Sequence, residues 1–244
     1  MADNLSKIKF KQQKKLDKNI WTDDLHLKNS IKTRLYNIAT DFIQGSLKEL
    51  KIKSIKIKDI VITGSIANYN WDDQSDIDLH IIFDFKQIDD NMLMAKEMTR
   101  DKTAIWNSNH EIMIQNHEVE IYFQDVSEKH TSSGIYSIVD NKWIKIPAIH
   151  DIKIDKDEIL NKTDVLIRRI DFIEQDFKGG DYEEAFVKAE KMKKQLRAMR
   201  MRGLDSQLGE YSKENLIFKV LRRSGYLKKL SNIKNKAYDE SMSS

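Results

Sequence analysis

Gly64–His80 reads GSIANYNWDDQSDIDLH, and its reading decides the fold. A branched apolar run, Ile60-Val61-Ile62-Thr63, stops at Gly64-Ser65, and a second run, Ile81-Ile82-Phe83, follows His80. Between them stands Ser75-Asp76-Ile77-Asp78-Leu79. In a strand, side chains alternate between faces at ~3.3 Å per residue, so Asp76 and Asp78 share a face roughly 6.6 Å apart at Cα. Two carboxylates at that separation repel by about 2.5 kcal/mol at an effective dielectric near 20. Such a pair calls for a cation, and Mg²⁺, an oxygen-seeking ion that binds through one or two carboxylates plus phosphates, is the natural one.

A third carboxylate answers from downstream. Glu118-Val119-Glu120-Ile121-Tyr122-Phe123 alternates strictly and reads as a strand, with Glu118, Glu120 and Tyr122 on one face and Val119, Ile121 and Phe123 on the other. If this strand lies about 4.8 Å from the one bearing Asp76 and Asp78, three oxygen donors converge. That donor set suits in-line phosphoryl transfer at paired divalent ions.

These residues carry a resemblance. Gly64-Ser65, a ten-residue spacer, Asp76-Ile77-Asp78 and a later Glu120 between apolar neighbours resemble the nucleotidyltransferase superfamily, the DNA polymerase beta-like group. The words GSIANYNW and SDIDLH are similar to predicted nucleotidyltransferases of tailed phages. The superfamily pattern spans residues 58–124. It implies an α+β fold with a mixed β-sheet core flanked by helices and followed by a C-terminal helical bundle. It also implies transfer of an NMP from an NTP to an acceptor hydroxyl, with release of pyrophosphate. In that reading Asp76, Asp78 and Glu120 are the catalytic and metal-holding residues, for Mg²⁺ or Mn²⁺. Gly64, Ser65 and Ser75 lie on the phosphate side, with Lys193 and Arg197 as further nucleotide contacts chosen by charge. The rival reading is a catalytically silent nucleotide- or nucleic-acid-binding module on the same fold.

Composition narrows the class. The chain has 244 residues, 40% hydrophobic and 33% charged, as in globular proteins with a substantial core. It has no cysteine, which excludes a disulfide framework, a thiolate metal site and thiol catalysis. No apolar run reaches the ~18 residues of a membrane span, and the N-terminus shows no signal-peptide core, so no membrane partner and a cytoplasmic location are expected. Net charge is only +3, but its distribution is uneven. Residues 1–20 carry six lysines against Asp3 and Asp17, and residues 188–202 carry seven basic groups against Glu190. A basic arm and helix suit a triphosphate or a nucleic-acid backbone, and they are equally the solvated surface of a lysine-rich protein. Among acceptors, nucleic acid ranks ahead of a protein hydroxyl or a small molecule.

Along the chain, residues 1–20 are expected to form a basic, flexible arm, and removal of 1–18 to leave melting nearly unchanged. Residues 21–150 then form the catalytic domain and 151–240 a helical domain. The spacing of Ile31, Leu35, Ile38, Phe42, Ile43, Leu47 and Leu50 predicts an amphipathic helix from Leu27 to Leu50. Ile57–Thr63 reads as a strand, and Ile66–Trp71 as a short helix whose free N–H groups would attract anions. Ser75 either caps its turn or meets a phosphate, Asn68, Tyr69 and Trp71 either line the nucleotide pocket or pack, and His80 is read as a satisfied polar residue. A helix over 89–106 and two hairpins follow, the first with Gln115-Asn116-His117 as its loop. The remainder reads as helices over 157–177, 181–202, 212–223 and 226–238, with Asp181 opening a capping box and a frayed end from Glu240.

Overall fold

The computed structural model describes residues 12–130, 132–149 and 153–243. The chain divides into two compact units, with residues 11–150 in the first and 151–244 in the second.

The first unit is built on a six-stranded mixed sheet of order β3-β4-β2-β1-β5-β6. Its strands are β1 (Ile57–Thr63), β2 (Ile77–Phe83), β3 (Met113–Ile114), β4 (His117–Asp125), β5 (Ile135–Ser137) and β6 (Lys142–Lys145). β2 and β4 run parallel and every other pair is antiparallel. The parallel pair is joined through helix α2 (Met92–Asn109), as a crossover between parallel strands requires. Ile77, Leu79, Ile81 and Phe83 of β2 and Val119 and Ile121 of β4 share the covered face. Helix α1 (Asn29–Leu50) contributes Ile31, Leu35, Ala39 and Phe42 to the same core, and Phe42 stacks on Phe123 at 4.4 Å. Gly45 leaves α1 uninterrupted.

β4 runs past its short partner β3, so its outer edge would expose unpaired backbone, a liability in any sheet. Asn107 of α2 covers it. Its side chain donates to the Ile121 carbonyl and accepts from the Ile121 N–H, both at 3.0 Å.

The N-terminal arm is shorter than the sequence suggests. From residue 12 the chain is a strap laid on this unit, with Leu16, Asp17, Ile20 and Trp21 buried. Residues 1–11 lie outside the described residues. Truncation at residue 18 would remove Leu16 and Asp17, both buried, so the structure leads to an expected drop in melting in place of an unchanged one. The strap also accounts for a second difference. Ile66–Trp71 forms turns and not a helix, because its carbonyls already have partners. Trp21 Nε1 donates to Ile66 O at 2.9 Å, Gln13 N to Tyr69 O at 2.7 Å, and Gln13 Nε2 to Trp71 O at 3.3 Å.

The second unit consists of helices α3 (Lys156–Lys178), α4 (Tyr182–Leu204), α5 (Lys213–Arg223) and α6 (Tyr226–Ser243). Ile167, Ile170, Ile173, Met192, Leu196 and Leu230 lie in its core. Ser212 caps α5, but Asp181 makes no side-chain cap on α4, and α6 runs through Ser243, past the frayed end that the sequence predicts from Glu240. No helix among the described residues is long and apolar enough to cross a membrane.

Trp21 ties the strap to the sheet, stacking on Trp143 at 4.8 Å and meeting Tyr136 edge-on at 5.1 Å. Trp21→Ala should therefore cost about 3–5 kcal/mol, within the range for a buried tryptophan truncation. A thermal melt should show the corresponding drop, on the order of 10 °C.

Candidate active site

The uncovered face of the sheet is where the polar side chains of β2 and β4 gather. Parallel registration sets Asp78 beside Glu120 and His80 beside Tyr122. Asp76, which immediately precedes β2, and Glu118 of β4 lie two residues before Asp78 and Glu120. Glu118 is pushed above the usual carboxylate range by burial and then by the charges of Glu120, Asp76 and Glu111. The face thus holds two ranks of carboxylates whose repulsion is felt at Glu118, which the sequence put on this face without a role.

Gly64 ends β1 opposite this pair with φ +76°, a conformation that side chains disfavour. A Cβ there would fall 1.8 Å from Asp78 Oδ2. Glycine therefore allows the backbone turn to lie directly on the carboxylate. Ser65 and Ser75, ten residues apart, are joined Oγ to Oγ at 2.9 Å. The Asp72 N–H also donates to Ser75 Oγ at 2.9 Å, so Ser75 caps its turn and is 2% exposed. The helix start expected after Ser65 as an anion site is absent here, since that segment forms turns; the Gly64-Ser65 turn itself remains.

Glu120 has a neighbour that strand alternation alone marks, Tyr122, whose hydroxyl donates to Glu120 Oε2. His80 stacks on Tyr122 at 5.1 Å, and His130, from the connection between β4 and β5, meets His80 edge-on at 6.1 Å. That connection is fastened to the loop after Ser65, since Asn68 Nδ2 donates to Ser133 Oγ at 2.5 Å. His80 is accordingly half-buried among these rings. Burial pulls its pKa down to about 4, with a smaller push from His130, and His130 is itself lowered by burial. Asn68 and Tyr69 are buried in packing, and Trp71 Nε1 donates to Lys15 O at 2.8 Å.

Lys193 and Arg197 are on α4, in the helical unit, whereas the other six candidates belong to the sheet unit. Lys193 Nζ donates to Ser231 Oγ of α6 at 2.9 Å. The neighbouring Lys194 pairs with Glu190 at 3.4 Å.

The residue pattern and the sheet register point the same way as a comparison with protein families. The nucleotidyltransferase domain family matches residues 43–200, about two thirds of the chain. The chain belongs to that family. No curated protein and no solved structure matches it. A nucleotidyltransferase domain moves an NMP, whose phosphate is anionic, so the suitability of this face for a divalent ion matters. Asp76, Asp78 and Glu120 are all-oxygen donors, which fits a hard cation in chemistry. Among the described residues, however, no three acidic or histidine side chains are drawn together as one ligand cluster. Asp78 rests against Gly64 and Glu120 is held by Tyr122, so an arriving ion would compete with both contacts.

Two outcomes follow. Gly64→Ala must displace Asp78 and adopt a disfavoured φ, costing about 1–3 kcal/mol of stability; chemical denaturation would measure it. His80 offers a pH test in the protein freed of divalent ions by a chelator. Its folded pKa lies below the ordinary 6.5, so the unfolded chain binds the extra proton as pH falls from 6.5 to about 4. Stability should decline across that window by at most about 3 kcal/mol, and His80→Gln should remove that part of the decline.

Proposed function

We propose that the chain transfers an NMP from an NTP to an acceptor hydroxyl, with pyrophosphate as the leaving product. The observation that supports this most is the parallel pairing of Asp78 with Glu120 while the Gly64 turn lies against Asp78. Asp76, Asp78 and Glu120 would hold Mg²⁺ or Mn²⁺, which when bound neutralises triphosphate charge and lowers the pKa of the acceptor hydroxyl. Gly64 lets its turn close on Asp78, and the Ser65 hydroxyl, on turning from Ser75, offers a hydrogen bond to a phosphate oxygen. The acceptor oxygen forms its bond to the α-phosphorus as the bond to the bridging oxygen breaks. Glu120 receives the hydroxyl proton, and Tyr122 keeps its carboxylate turned along the sheet face. Catalysis of this kind is positioning and charge stabilisation, which needs no nucleophile from the protein. Nucleic acid is the acceptor class that the lysine-rich N-terminus and α4 favour.

The test is label transfer from each of four α-labelled NTPs, with Mg²⁺ or Mn²⁺, into RNA, protein and small-molecule fractions. Label should enter one fraction and fall at least about a hundredfold in Asp76→Asn and Asp78→Asn variants. Metal-dependent NTP binding with no transfer to any fraction would favour the silent binding module instead.

A further inference from the structure

Asp17, His117 and Ser75 form a buried chain of contacts that the reaction above does not use. His117, 3% exposed, opens β4 three residues before Glu120, and Ser75 immediately precedes Asp76. His117 Nδ1 lies 2.6 Å from Ser75 O, and His117 Nε2 lies 2.8 Å from Asp17 Oδ2. A carbonyl oxygen only accepts, so Nδ1 carries a proton; opposite an ionised Asp17, Nε2 carries the other, and both ring nitrogens donate.

Each end of this chain is anchored. Asp17 Oδ1 accepts from the Asn19 N–H at 2.8 Å, and Asp17 O accepts from Ile20 N at 3.1 Å and Trp21 N at 2.8 Å. At the other end Ser75 Oγ meets Ser65 Oγ. The β2–β4 ladder begins only at Ile77 with Val119, so the backbone of Ser75 and Asp76 lies ahead of the strand register. The histidine bridges that unladdered gap.

We propose that Asp17 and His117 are positioning residues for the nucleotide site, locking Ser75, and through it Ser65 and Asp76, to the head of β4. The proposal rests on the reading of the site given above. Stability alone does not explain the choice of residues, because well-packed apolar side chains commonly match or exceed a buried ion pair in stability. An apolar pair could fill the space, but it could not hold the Ser75 carbonyl. The strap from residue 12 is thereby a working part of the site.

The experiment compares wild type with Asp17→Asn and with Asp17→Asn/His117→Leu. Long-range ¹⁵N spectra of the wild-type ring should show both nitrogens protonated; an unprotonated Nδ1 overturns the proposal. In Asp17→Asn the new amide can donate to Nε2 while Nδ1 still donates to Ser75, so amide exchange at Ser65, Asp76 and Ile77 and Mg·ATP affinity should stay near wild type. In the double variant both should change on the order of tenfold or more, the range for outer-shell partners of a metal site, with cooperative melting retained. A folded double variant with unchanged exchange and affinity overturns the proposal, as does an Asp17→Asn variant equally impaired. If the double variant does not fold, His117→Gln at the same readouts decides by the same criteria. Wild-type protein that binds no nucleotide would overturn the reading of the site, while the exchange data would still judge the latch.

Discussion

Carboxylates crowded on one face of two parallel strands are the constraint on which the rest of this unit depends. Asp78 stands in register with Glu120, and Glu118 is raised by burial and by its acidic neighbours, so the face opposes its own formation. The opposite face supplies the compensation. Ile77, Leu79, Ile81 and Ile121 are fully buried beneath α1 and α2, and burying an aliphatic side chain contributes roughly 1.5–3 kcal/mol. Repulsion of a few kcal/mol between neighbouring carboxylates is outweighed by a handful of such residues. The sheet can therefore carry neighbouring carboxylates, a charge that the divalent ion of the proposed function would offset.

Around that face the protein spends polar contacts on geometry. Tyr122 orients Glu120, Gly64 leaves room for Asp78, and paired serines join the two ends of the loop between β1 and β2. The strap then fixes the same loop from outside by way of Gln13, Trp21 and Asp17. The hydrogen bonds to Ile66 O, Tyr69 O and Asp17 share one physical character: each satisfies a backbone or carboxylate oxygen, and leaving such a group buried without a partner costs more than the bond itself contributes.

Much of this was legible in the sequence, for identifiable reasons. Period-two alternation in β2 and β4 assigned each residue to its face, and the apolar run ending at Gly64-Ser65 marked the turn. Helical spacing located α1 and the helices of the second unit to within a few residues. What escaped were features set by distant partners. Ile66–Trp71 has local helical character, but its carbonyls are taken by Gln13 and Trp21, a choice made by the tertiary fold. His117 reads as a loop residue because it continues the polar run Gln115-Asn116; those two do turn at positive φ, yet the strand starts at His117 itself. Its partners lie 42 and 100 positions away, beyond any local pattern. Asp17 looked like one acidic residue in a basic arm for the same reason.

The most direct measurement of the central claim is a Mn²⁺ titration by electron paramagnetic resonance, with and without a non-hydrolysable NTP. If the β2–β4 face is the centre for nucleotidyl transfer, the nucleotide should sharply raise Mn²⁺ uptake by the wild-type chain. Asp76→Asn/Asp78→Asn, folded by its melting curve, should lose that nucleotide-dependent uptake. Equal Mn²⁺ and nucleotide binding in the wild type and the folded double variant would contradict the account, because the carboxylates around which it is built would then hold neither.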